Sequence, residues 1–139
     1  MSKQIIPQEN RFTAPLTVTQ IGGEKWKTAR EFSYYVTLDR SEIITVPEGF
    51  ETDFASVPPI ARWLIPKSGK HNQAAVLHDF LYQNLKADWK GWKGKKYTRK
   101  DCDEIFLEAM KILGVNFLKR YTMYRAVRRF GGIHMALTK

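Results

Sequence analysis

The chain has 139 residues, 43% hydrophobic and 13% aromatic, which excludes a largely disordered protein and leads us to expect one domain over 1–139 with a buried core. Its formal charge of +9 favours a polyanionic partner (nucleic acid, an anionic membrane surface or an acidic protein) without choosing among them. A lone cysteine, Cys102, excludes an intramolecular disulfide and suits synthesis in a reducing cytoplasm, and no apolar run approaches the roughly 18–20 residues of a membrane span.

The N-terminal segment lacks a long apolar core, so no secretory signal is expected. Leu16–Ile21 alternates apolar and polar residues and is followed by Gly22 and Gly23, a strand and a turn. Phe32, Tyr34, Val36 and Leu38 alternate in the same way, and Ile43–Val46 makes a short third strand ended by Pro47 and Gly49. A small antiparallel sheet over about 12–50 is the expectation. From about 50 to 69, the proline pair Pro58 and Pro59 forbids a helix interior or a central strand. An ordered loop with one short helical turn through Ile60–Leu64 is expected there.

Helices follow, over about 72–130. The first is expected over Asn72–Leu85. A lysine-rich linker, Lys86–Lys100, carries Trp89, Trp92 and Tyr97 among its cations. Thr98 and Asp101 have the spacing of a capping box, with Asp in place of Glu or Gln, and open a second helix over Arg99–Leu113. Its apolar stripe comprises Phe106, Leu107, Met110 and Leu113 but also Asp103. Gly114 is the natural stop. A third helix over Asn116–Phe130 presents Phe117, Tyr121, Tyr124 and Val127 as core, with Gly131 and Gly132 ending it. The fold class is α+β: a small N-terminal antiparallel sheet followed by a three-helix C-terminal half.

Chemistry concentrates in Asn72–Asn84. His78 and Tyr82, four apart, share one face of an otherwise apolar helix. Asp103, on the apolar stripe of the next helix, is costly to bury unless paired. Antiparallel packing of the two helices satisfies all three: Asp103 accepts from the His78 ring and from the Tyr82 hydroxyl. The imidazole is then held in one tautomer, leaving its other nitrogen to activate water. Asp79 projects about 100° around the helix and is placed to coordinate a cation. A carboxylate combined with loop oxygens suits calcium, and Asp53, Ser56 and the carbonyls of the preceding loop are the candidates. The competing reading makes the His/Asp cluster a buried structural network.

The stretch His78, Asp79, Tyr82 resembles the active-site helix of phospholipase A2, whose signature is His-Asp, two residues, Tyr. By that resemblance, His78 activates water, Asp79 ligates calcium, and Tyr82 braces a distant carboxylate, here Asp103. The implied activity is hydrolysis of an ester or amide, with anionic lipid as the fitting partner. More widely, Pro47–Pro58, Ala74–Tyr82, the helix carrying Arg99, Asp103, Phe106 and Met110, and Tyr124–Gly131 together resemble a family of small proteins of tailed bacteriophages and prophages, known only as a domain of unknown function. This resemblance implies synthesis in the host cytoplasm, other phage proteins as partners, and packaging in the virion as one fate. In that case the alternative to a hydrolase is a non-enzymatic virion or assembly component.

The remaining features are weaker. The Lys86–Lys100 linker suits nucleic acid or a membrane interface, though a solvated loop is the commoner use of such a stretch. Lys119, Arg120, Arg125, Arg128 and Arg129 read as a solvated face of the third helix. Cys102 reads as a packed thiol.

Overall fold

The structure is a computed structural model that describes residues 11–23, 25–37, 39, 41–52, 70–86 and 96–137. Two compact units divide the chain, Met1–Asp53 and Phe54–Lys139. Among the described residues the expected α+β architecture is present, with small antiparallel sheets first and three helices after them.

The first unit holds β1 (Val18–Gly22), β2 (Lys25–Thr28), β3 (Phe32–Tyr35), β4 (Ile43–Val46) and β5 (Glu51–Thr52). The single sheet expected from sequence is two. One has the order β1-β2-β5 and the other pairs β3 with β4, all antiparallel. The sequence reading missed β2 and β5. Their signal is short: in β2 only Trp26 and Thr28 turn inward between exposed lysines, and β5 is two residues long. The β1-β2 register breaks between Gln20 and Gly22, where Gly22 and Gly23 take φ of 144° and 54°. Those angles suit glycine and let the chain reverse in so few residues.

Thr28 ties the sheet to the turn before β5. Its amide donates to the Phe50 carbonyl at 2.9 Å, its hydroxyl donates to the Pro47 carbonyl at 2.7 Å, and its carbonyl accepts from Gly49 at 2.8 Å. In the other sheet, Phe32 faces Val46 and Tyr34 faces Ile44, and all four are buried. Buried Arg11 packs beside them. It donates to the carbonyls of Tyr35 at 2.6 Å and Val36 at 2.8 Å, and its guanidinium lies over the Tyr34 ring.

The second unit holds α1 (Asn72–Lys86), α2 (Arg99–Ile112) and α3 (Phe117–Leu137). Leu77, Leu81, Phe106, Met110, Met123 and Val127 form its core. Residues Gln73 to Asp79 are buried without a break, so α1 is enclosed on every side for two turns. A helix so enclosed must satisfy its polar side chains internally.

The capping box at α2 is formed as read from sequence. The Thr98 hydroxyl accepts from the Asp101 amide at 3.0 Å, and the Asp101 carboxylate accepts from the Thr98 amide at 2.9 Å. Gly114, at φ 86°, closes the helix with two bonds, Gly114 N–H to Lys111 at 3.1 Å and Val115 N–H to Met110 at 3.0 Å. That pair is the Schellman arrangement.

The third helix corrects two expectations. It does not stop at Gly131 and Gly132 but runs through them to Leu137, and neither glycine has positive φ. Phe117 is not core: it is among the most exposed apolar side chains described. The buried face is carried instead by Met123, Ala126 and Val127, with Tyr121 and Tyr124 half-buried at its margin. The expected turn Ile60–Leu64, most of the loop 50–69 and most of the linker Lys86–Lys100 lie outside the described residues.

Candidate functional site

Helix α1 presents His78 and Tyr82 one turn apart to α2, and Asp103 on α2 meets both. His78 Nε2 lies 2.7 Å from Asp103 Oδ1, and the Tyr82 hydroxyl donates to that same oxygen at 2.5 Å. His78 and Asp103 are 0% exposed. The expected pairing is therefore present in the geometry. Two arginines complete the carboxylate's shell on its other oxygen. Arg128 Nη1 donates to Oδ2 at 2.7 Å, and Arg99 Nη1 approaches it at 3.5 Å.

Asp103 thus faces donors from all three helices. Burial pushes its carboxyl upward, but the bonds from His78, Tyr82 and Arg128 outweigh that and leave it below the usual carboxylate range. Tyr82 is driven the other way, first by burial and then by Asp103, so it remains a phenol and a donor. Arg128 is raised by its bond to Asp103.

The His78 ring is fixed by contacts as well as by its bond. It stacks on Phe106 with centroids 4.6 Å apart at 28°, and it touches the Tyr82 ring at 4.1 Å. With Nε2 against a carboxylate, the network assigns the ring proton to Nε2. Nδ1 then carries the lone pair. It is buried and has no hydrogen-bond partner among the described residues. A buried imidazole nitrogen without a partner is uncommon and calls for a reason.

Arg99, half-buried, binds the backbone of α3. Its Nη1 donates to the Val127 carbonyl at 3.0 Å and its Nη2 to the Arg128 carbonyl at 3.2 Å. In the helical ladder these carbonyls belong to the turn that reaches Gly131 and Gly132. A β-carbon on Gly131 would lie 3.1 Å from Arg99 Nη1 and 2.6 Å from the Tyr82 hydroxyl. The bare backbone is what lets the arginine and the phenol approach.

Asp79 is 6% exposed and engaged within the fold, on a different face from His78. Asp53 and Ser56, the other expected calcium ligands, lie outside the described residues. Among the described residues, no three His, Cys, Asp or Glu side chains come together to hold a metal ion. Cys102, beside Asp103, is pushed up to about 12, mainly by burial and then by Asp103, and is the packed thiol expected.

Sequence reasoning missed three members of the site. Arg128 read as surface decoration, Gly131 as a helix stop and Phe106 as anonymous core. Arg99 was within reach, since it precedes Asp103 by four residues on one helix. Tyr97, one of the aromatics interleaved with the linker's cations, is buried.

A family model described as "Protein of unknown function (DUF1353)" matches residues 26–127. No curated protein and no solved structure matches the chain significantly.

Proposed function

The chain belongs to the DUF1353 family, and we propose that it is a hydrolase of phospholipase A2-like design, encoded by a phage or prophage, acting on an ester or amide. His78 is its general base. The observation that carries this reading is His78 Nδ1, a buried ring nitrogen with no hydrogen-bond partner among the described residues, on a ring held at Nε2 by Asp103. A water at Nδ1 gives up its proton to that nitrogen as its oxygen attacks the substrate carbonyl. The imidazolium so formed is stabilised by the ionised Asp103 already bonded to Nε2. The proton then passes to the departing oxygen or nitrogen, which restores the neutral ring. Tyr82, Arg99 and Arg128 are positioning residues that hold Asp103 ionised and in place. The ring has no exposed surface, so turnover requires the cover over Nδ1 to open.

Calcium, held by Asp79 with Asp53, Ser56 and loop carbonyls, belongs to this reading as the ion that would polarise the substrate carbonyl. Asp79 supports it only by its chain position next to His78.

A second reading is favoured by the complete burial of His78 and by the donors that crowd Asp103. In it the cluster is a structural knot that locks three helices, in a non-enzymatic virion or assembly protein. Turnover separates the two. If His78 is the base, the unaltered protein hydrolyses a fluorogenic phospholipid and His78→Ala abolishes that turnover, while the buried ring makes the substitution destabilising under either reading. If the knot is structural, the unaltered protein shows no turnover, and the substitution costs about 2–4 kcal/mol from the cavity and the broken bond together.

A further inference from the structure

We propose that the outward face of α3 is a docking surface for an anionic lipid bilayer. Phe117, Tyr121, Arg125 and Arg129 follow one another at intervals of four and so lie along one side of the helix, with Leu118 beside them. Phe117 and Leu118 are 66% and 75% exposed, while Met123 and Val127 occupy the opposite, buried side. Two bulky apolar side chains adjacent in sequence, both facing solvent at one helix end, make a patch and not a scattered exposure.

The charge around the patch selects the occupant. Residues 109–139 contain no Asp or Glu, while Lys111, Lys119, Arg120, Arg125 and Arg129 all fall within them. The Arg120 guanidinium sits over the rings of Phe117 and Tyr121, 5.5 and 5.8 Å from their centroids. Lys70 reaches the same end of the unit, at the α2–α3 turn beside Gly114. An exposed aromatic and leucine on a helix that carries cations and no acid is the pattern of a helix that lies in a headgroup layer. The apolar tips enter the acyl boundary and the arginines meet lipid phosphates. Leu118, the more exposed of the pair, has no ring to stack on a base and no group to bond one, which argues against nucleic acid as the occupant. No described helix is long and apolar enough to cross a membrane, so the contact would be peripheral. The inference stands on α3 alone and does not require His78 to be catalytic.

The test is co-sedimentation of the full chain with vesicles of ether-linked phosphatidylglycerol and phosphatidylcholine, lipids that have no ester to cleave. The chain is expected to sediment with the anionic vesicles, release as salt rises, and ignore pure phosphatidylcholine. Phe117→Ser/Leu118→Ser and Arg125→Glu/Arg129→Glu should each weaken binding by about tenfold or more. Their circular-dichroism melts should match the parent, because the altered side chains are exposed. Equal binding by the first double variant would overturn the proposal, as would indifference to lipid charge. So would a dimer in sedimentation velocity that Phe117→Ser/Leu118→Ser dissolves, since a second copy would then be the occupant.

Discussion

The backbone of Gly131 passes so close to Tyr82 that a β-carbon placed on it would lie 2.6 Å from the phenolic oxygen. Helix α3 approaches the His78–Tyr82–Asp103 cluster at Gly131, where its side chain is only hydrogen. The same approach lets Arg99 reach the α3 carbonyls and Arg128 reach Asp103. The glycine is therefore part of the site's construction, although it bears no chemistry.

Substitution of neighbouring glycines separates close packing from helix propensity. Gly131→Ala should destabilise the protein by about 1–3 kcal/mol, because the added methyl meets the Tyr82 oxygen inside a packed interface. Gly132→Ala meets nothing closer than 3.7 Å and gains helix propensity, so it should be neutral or stabilising by up to about 1 kcal/mol. Urea denaturation of the two single variants checks both signs. If both glycines were ordinary surface positions, the two alanines would behave alike.

Asp103 is the keystone of the cluster. Asp103→Ala leaves His78, Tyr82 and Arg128 without their common acceptor and should cost about 3–5 kcal/mol. Tyr82→Phe removes one donor from a carboxylate that keeps others, so about 1.5–3 kcal/mol is expected. Chemical denaturation gives both values. The order Asp103 above Tyr82 is the outcome to look for.

The ionisation of the cluster sets a pH window. Asp103 is held below its ordinary value of 3.8, so between the two values the unfolded chain binds more protons than the folded one. Its contribution is complete above pH 3.8 and is lost as pH falls through the folded value. Tyr82 is held above its ordinary 10.0, so its contribution is complete below pH 10.0 and is lost as pH rises through the folded value. His71, lowered by burial and by Lys119, adds a term that is present above 6.5 and declines as pH falls below it. Thermal midpoints across pH should form a plateau that shoulders near neutrality and falls at both extremes. Tyr82→Phe should flatten the alkaline limb and His71→Gln the shoulder.

Calcium binding is read most directly by heat. If Asp79 and the loop oxygens hold the ion, calcium at a hundredfold excess over its dissociation constant should stabilise the protein by about 2.7 kcal/mol. Asp79→Asn should remove the shift. A melting curve indifferent to calcium would strike the ion from the proposed mechanism and leave the His78–Asp103 pair to be judged by its turnover.

Local sequence was sufficient where structure depends on neighbours in the chain. Thr98 and Asp101 specify a helix start, Gly114 specifies its end, and the spacing of His78, Tyr82 and the misplaced carboxylate Asp103 foretells their meeting. In the first two, three or four residues contain the physics, a cap or a left-handed turn; in the third, uncompensated polar groups on two apolar stripes point to each other across 25 residues. What lay beyond reach depends on distant partners. Gly131 and Gly132 read as a stop, because glycine is a poor helix former in isolation. Packing against Tyr82 and Arg99 holds them in a helix, and that packing exists only after three helices have assembled. Arg128 read as solvated because an arginine among other cations on a helix carries no mark of the buried acceptor that claims it. Phe117 read as core by periodicity, yet which side of α3 is buried was decided by the helices it packs against, and that choice left the Phe117–Leu118 patch facing outward.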